Sequence, residues 1–213
     1  MSTLHITSGE YFNATLKTKY GKIGVPFNEA MMTGNAHEEL FSSDFVSLRA
    51  KTHGVSETLY QEKLEPFLNA LQKPDWDEIV LWFGKDVFCQ MNMLTVLAYL
   101  EKQKYHGTVY VQYIDDETSE KIGDKQLVNI DGKGELYQKV LVEKIFAKTD
   151  DSALQNAINL YLDYLSKDGF LIKTVKENAF LPKEDLVKKL LLCSKDYGLS
   201  DLQALQLIEE YAK

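Results

Sequence analysis

Residues 78–92 read EIVLWFGKDVFCQMN. A continuous apolar run from Ile79 to Phe83 leads into a polar turn, and an apolar helical pattern follows as far as Leu100. This order is typical of one strand-to-helix unit in an α/β sheet. Ligands of such sheets bind outside the carboxyl ends of the strands. The turn after Phe83 is therefore the first place to look for a functional site.

Three further segments have the composition of β-strands. They are residues 4–7, residues 22–27 and residues 107–114. Helical patterns lie between the successive strands, and a helix between two strands implies a right-handed crossover with parallel pairing. We therefore predict an α/β fold whose N-terminal part contains a parallel, Rossmann-like sheet.

The chain divides into three stretches by composition. We assign residues 1–115 to the α/β domain, the polar and Gly/Asp-rich residues 116–134 to a linker, and residues 135–213 to a helical C-terminal region. Two prolines mark one helix of the first stretch. Pro66 should kink or interrupt the helix that follows Ser56, and Pro74 should end it.

The overall composition excludes several classes of protein. Among 213 residues, 32 are acidic and 24 are basic, which gives a net charge of −8. Because Lys and Arg drive binding to the phosphate backbone, we expect no nucleic-acid partner. The N-terminus lacks a signal-peptide pattern and no apolar run could cross a membrane, so we expect a cytoplasmic protein without a membrane partner. Cys89 and Cys193 fit no zinc spacing, so no metal site is assigned. Composition identifies neither a cofactor nor an oligomeric state.

Polar residues follow each of the first three predicted strands. Because the carboxyl ends of parallel strands meet at one edge, these residues are candidates for a shared site. They are Ser8, Gly9 and Glu10 after the first strand, Glu29 after the second, and Asp86, Cys89 and Gln90 after the third.

Asp86 is the first catalytic candidate, and it has a plain structural alternative. Asp86 could form an acidic mouth with Glu10 and Glu29, suited to a divalent cation, an amine or acid/base work, or it could simply cap a helix. Gln90, four residues later on the same helical face, could orient a ligand. Cys89 as a nucleophile would need a neighbouring base, and the sequence places none beside it.

Two more residues are candidates for ligand binding. Arg49 is the only arginine in the chain and could clamp an anion, although an exposed or ion-paired side chain explains it as well. Trp82 could form an aromatic wall for a ligand or belong to the core. The chain has neither a Gly-x-Gly-x-x-Gly nor a Gly-x-x-x-x-Gly-Lys-Ser/Thr motif, which argues against a nucleotide loop.

The segment LWFGKDVFCQ, residues 81–90, resembles the signature of a bacterial family called domain of unknown function 1835. The family pattern is Leu-Trp-Phe, two residues that are often Glu-His, and then Asp-x-Phe/Tyr-Cys-Gln. Residues 5–10 are similar to its opening, and Glu29 and Arg49 fall where the family carries an acid and an arginine. The resemblance covers about the first half of the chain, and Gly84-Lys85 departs from it by replacing the acid–histidine pair.

The resemblance implies the fold and the site location but no reaction, since the family has no established activity. Two hypotheses for function follow. The first is a small-molecule-binding site at the carboxyl edge of the sheet, which is also a candidate for catalysis. The second is a non-enzymatic regulatory or protein-interaction module that uses the helical C-terminal region. The sequence leaves open whether the chain is an enzyme.

Overall fold

A five-stranded sheet forms the centre of the computed structural model, which describes residues 2–72 and 76–212. The strands are β1 (Thr3–Thr7), β2 (Gly24–Pro26), β3 (Glu78–Phe83), β4 (Thr108–Tyr113) and β5 (Gln126–Leu127). Their spatial order is β2-β1-β3-β4-β5. The first four pair in parallel and β5 joins antiparallel at one edge. The predicted α/β fold with a parallel sheet is confirmed.

Helices connect the parallel strands and continue after the sheet. Between the strands lie α1 (Glu10–Tyr20), α2 (Ser43–His53), α3 (Glu57–Leu71) and α4 (Val87–Lys102). After β5 come α5 (Lys133–Tyr137), α6 (Ser152–Leu165), α7 (Phe170–Glu177), α8 (Lys183–Cys193) and α9 (Asp201–Tyr211). A π-helical turn, Gln138–Val142, extends α5, and a 3₁₀ turn, Lys195–Tyr197, precedes α9. Within the described ranges, none of these helices has the length and apolar character needed to cross a membrane.

Helix α4 is buried around its whole circumference, and most of its residues are inaccessible to solvent. A helix that is apolar on all sides must be covered by other elements, and α5 and α6 pack against it. Leu94 of α4, Leu141 of the π-helical turn and Ile158 of α6 belong to one apolar cluster. The core therefore runs across the predicted division at residues 116–134, a stretch that also contributes β5. That division stays a prediction.

The two faces of β3 pack against different clusters because successive side chains of a strand point to opposite faces. Ile79, Leu81 and Phe83 enter the main core. Val80 and Trp82 enter a smaller cluster under α1.

Pro66 affects its helix less than the sequence suggests. Pro66 lies inside α3, which continues without interruption to Leu71. The expected interruption is wrong because Pro66 and Glu62, whose carbonyl loses its donor, are both exposed, so water can serve that carbonyl. Pro26 ends the edge strand β2, where its missing N–H costs little. Pro74 lies outside the described residues.

Candidate functional site

The turn between β3 and α4 is held by its own polar side chains. Asp86 is the N-cap of α4, and its Oδ1 accepts the backbone N–H of Cys89 at 2.8 Å. Buried Gln90 donates from Nε2 to the carbonyl oxygen of Gly84 at 2.7 Å. Its Oε1 has no hydrogen-bond partner among the residues described. Asp86 thus caps the helix. The buried Gln90 side chain holds the turn in place and does not lie on an exposed surface.

The loop after β4 contributes a second carboxyl group, that of Asp116. Asp116 is exposed as a residue, but its carboxyl group lies against Asp86 and Cys89, with the ligand atoms of all three within 4.8 Å of one another. Gly84 makes room for it, because a Cβ there would overlap the Asp116 carboxylate. Burial, together with the hydrogen bond and negative charge of Asp86, raises the pKa of Asp116 to about 8. The Asp116 carboxyl group therefore keeps its proton to a higher pH than an ordinary carboxyl group does.

This carboxyl pair has two possible chemical uses. A protonated carboxyl group beside a carboxylate can exchange a proton with a ligand near neutral pH. The same oxygens with the Cys89 sulfur could instead hold a divalent cation, and zinc accepts such mixed oxygen and sulfur ligands. A nucleophilic role suits Cys89 less, because burial, and then the charges of Asp86 and Asp116, raise its pKa well above the usual value.

Glu29, in the loop after β2, forms a buried ion pair with Arg49 of α2, and both side chains are inaccessible to solvent. Arg49 donates from Nη2 to Oε1 at 2.6 Å and from Nε to Oε2 at 3.2 Å. Its other N–H groups donate to the backbone carbonyl oxygens of Ala30, Thr33 and Asn35. All five guanidinium donors are occupied. Arg49 therefore fastens this loop and keeps no donor for an anionic ligand.

Two further side chains bind Glu29. Nε2 of His53, the last residue of α2, lies 2.6 Å from Oε1, and the Tyr60 hydroxyl donates to Oε2. Burial alone would raise the pKa of Glu29. The hydrogen bonds from His53, Arg49 and Tyr60, with the charge of Arg49, outweigh burial and hold the pKa at about 2. At neutral pH Glu29 is thus a carboxylate that accepts hydrogen bonds, which does not suit it to proton transfer.

A cavity of about 390 Å³ opens beside the Glu29 cluster. Its wall combines apolar and polar residues, among them Phe27, Leu59, Phe88, Glu29, His53 and Tyr60. A second cavity of about 490 Å³ shares Ala30, His53 and Phe88 with the first and reaches the C-terminal helices at Gln203. The two cavities adjoin, and each has the size of an ordinary ligand pocket.

The two adjoining cavities form one crevice, and the residues that follow β1 lie at its border. Gly9 lines the 390 Å³ cavity, and Glu10 accepts a hydrogen bond from Asn28 Nδ2 at 2.9 Å. The Ser8 backbone N–H donates to the carbonyl oxygen of Trp82 at 3.1 Å. Strands β1, β2 and β3 thus present their candidate residues along the same edge.

The candidates nevertheless fall into two groups. Glu29 and Gly9 line the 390 Å³ cavity, whereas Asp116 lines a different cavity of about 950 Å³ beside the C-terminal helices. Trp82 belongs to neither group. It lies on the α1 face of the sheet, where its Nε1–H donates to His5 Nδ1 at 3.2 Å. Its position matches the core interpretation.

Gly198 covers the Asp86 carboxylate from the C-terminal region. Its φ is +66°, and a Cβ at this position would overlap Asp86. We expect Gly198→Ala to reduce the free energy of unfolding by about 2–3 kcal/mol, through left-handed backbone strain and the overlap together. Gly21 is the matched control, because its φ is +62° and no atom lies within 4 Å of an added Cβ. Gly21→Ala should reduce the free energy of unfolding, measured by urea denaturation, by only about 1 kcal/mol. Equal losses would contradict the Gly198–Asp86 contact.

Sequence reasoning missed Asp116 and His53. Asp116 follows β4 in the same way that the chosen candidates follow their strands, so its place at a strand end was a usable signal. His53 stands four residues after Arg49 and therefore on the same face of α2. Gly198 had no signal, because nothing in the sequence places the 3₁₀ turn Lys195–Tyr197, which Gly198 ends, beside α4.

Comparisons of the chain with protein-family models, with curated protein sequences and with solved structures gave no match. The resemblance to domain of unknown function 1835 therefore stays a prediction. The positions where that family carries an acid and an arginine are here occupied by the buried Glu29–Arg49 pair.

Proposed function

We propose that this chain binds a small, largely apolar organic molecule in the crevice at the carboxyl edge of its sheet. The observation that carries the proposal is the 390 Å³ cavity beside the Glu29–His53 pair. Ligand pockets are typically concave and mostly apolar, with a few polar groups that fix orientation. Phe27 and Phe88 would contact the apolar body of the ligand, and His53 would bind its polar group.

The wall of this cavity is held rigidly, which favours binding. The Met31 N–H donates to Asn92 Oδ1 at 2.9 Å, and the Asn92 amide donates to the carbonyl oxygen of Glu29. These bonds tie the β2 loop to α4, while Arg49 ties it to α2. A site that is already ordered avoids the entropy cost of ordering itself around a ligand.

Filling the cavity tests the proposal. Leu59 lines the cavity and is 44% exposed, so a larger side chain can be accommodated without disturbing the core. We expect Leu59→Trp to weaken the binding of cavity ligands by about tenfold or more, since it occupies their space. The measurement is ligand-observed NMR with a library of small aromatic and aliphatic compounds.

Leu127→Trp is the control variant. Leu127 is 69% exposed on the edge strand β5 and is not part of the cavity lining. Compounds that bind the wild type should bind Leu127→Trp equally well. If Leu59→Trp and Leu127→Trp bind the same compounds with the same affinity as the wild type, the cavity is not the binding site.

Two other hypotheses have weaker support. Acid/base or cation chemistry at Asp86 and Asp116 would use residues that do not line the 390 Å³ cavity, and it stays a prediction. For the interaction module, the helical region exposes Phe180 and Leu192, which are 80% and 71% accessible. Exposed single apolar residues are ordinary on protein surfaces, so they identify no docking site.

A further inference from the structure

The hydrogen bonds around Glu29 determine where His53 carries its proton. Glu29 is a carboxylate, so its Oε1 can only accept a hydrogen bond. The 2.6 Å contact between this oxygen and His53 Nε2 therefore requires a proton on Nε2. In the neutral ring, the other nitrogen, Nδ1, then has a free lone pair.

The Nδ1 atom of His53 is the ring nitrogen that a ligand in the cavity could use. The two nitrogens of an imidazole ring point in roughly opposite directions, so Nδ1 faces away from Glu29. Both polar contacts of the ring, with Glu29 and with Arg49, involve Nε2, and no other described residue forms a hydrogen bond with Nδ1. The side chain is 29% exposed and lines both adjoining cavities.

The charges around the ring favour an anion in the cavity. Charged or titratable groups come from the β2 loop as Glu29, from α2 as Arg49, and from α3 as Tyr60 and Lys63. Glu29 and Arg49 compensate each other. Tyr60 keeps its proton, because burial and the charge of Glu29 raise its pKa. Lys63, which also lines the cavity, then contributes a positive charge.

We propose that His53 accepts a proton at Nδ1 from a weakly acidic hydroxyl group of a phenol-like ligand bound in this cavity. The ligand O–H bond breaks, an N–H bond forms on Nδ1, and a phenolate remains beside an imidazolium. Glu29 positions the ring and stabilises the imidazolium through Nε2–H, and Lys63 attracts the phenolate. This inference rests on the proposed function and names the class of its ligand.

The test uses 4-nitrophenol, whose neutral and ionised forms absorb at different wavelengths. Titrating the bound phenol with the full-length wild type should show its apparent pKa lowered by about one unit, a tenfold rise in the ionised-to-neutral ratio. His53→Gln keeps an amide that can donate to Glu29 but cannot take up the proton. It should bind the neutral phenol and lose most of the shift, keeping only the part that Lys63 contributes. His106→Gln, which replaces an exposed histidine, should behave as the wild type does.

A measurement on the wild type alone covers the case in which His53→Gln fails to fold. In ¹⁵N NMR of the histidine rings, 4-nitrophenol should convert His53 to the doubly protonated form. A full spectral shift in His53→Gln, or an unprotonated Nδ1 in the complex, overturns the proposal. If other compounds occupy the cavity and no phenol does, the ligand class is wrong while the proposed function holds. If Leu59→Trp binds 4-nitrophenol as tightly as the wild type, the proposed function fails as well.

Discussion

Replacing Arg49 with methionine is expected to reduce the free energy of unfolding by about 3–5 kcal/mol, because it leaves the buried Glu29 carboxylate without its counter-charge. The loss has a second source. Three backbone carbonyl oxygens of the β2 loop also lose their donors, and buried acceptors without partners are costly. Urea unfolding at pH 7, monitored by circular dichroism, measures the effect.

Two variants isolate the ion pair. Lys51→Met removes an exposed positive charge from the same helix and should change stability little. The double variant Glu29→Leu with Arg49→Met removes both charges and should recover part of the loss of Arg49→Met, because no unpaired charge stays buried. A loss below about 1 kcal/mol for Arg49→Met would mean that the pair is hydrated rather than buried.

The contribution of Glu29 to stability should depend on pH in one direction. Its pKa is about 2 in the folded chain against an ordinary value of 4.5. A carboxyl group whose pKa is lowered by folding stabilises the fold above its unfolded pKa and loses that contribution as the pH falls through the folded value. Between pH 5 and pH 2, the free energy of unfolding of the wild type should therefore fall by about 3 kcal/mol more than that of the variant Glu29→Gln.

Urea unfolding at a series of pH values checks this expectation. The stability difference between the wild type and Glu29→Gln should be largest above pH 5 and should shrink toward pH 2. Glu135→Gln is the matched control, since Glu135 is an exposed carboxylate paired with Lys139, and such pairs contribute little. A difference that stays constant across this pH range would contradict the lowered pKa of Glu29.

The strand-to-helix unit of residues 78–102 could be predicted because local signals agreed there. A fully apolar run has no alternative to burial on both faces, and Asp86 has the residue type and position of an N-cap. Parallel pairing followed from the helices between strands. Gly9, Glu29 and Asp86 were placed at strand ends for the same reason, and they do lie at the carboxyl edge of the sheet.

The division of the candidate site into two parts could not be predicted from the sequence. Alternation along β3 places Trp82 away from the site, but a run that is apolar at every position does not reveal which face each residue occupies. A lone arginine can bind a ligand or neutralise a buried acid. Which of these two roles Arg49 has depends on whether its side chain is exposed to solvent. Tertiary packing against α2 decides that exposure, and the local sequence does not.

A crystal structure of the chain with its tightest-binding compound from the library would test the central claim most directly. The claim is that the cavity beside Glu29 and His53 is a ligand site. We expect the compound between Phe27 and Phe88, with a polar atom within hydrogen-bonding distance of His53 Nδ1. A compound bound beside Asp116, or on the outer surface of the helical region with the 390 Å³ cavity empty, would contradict it.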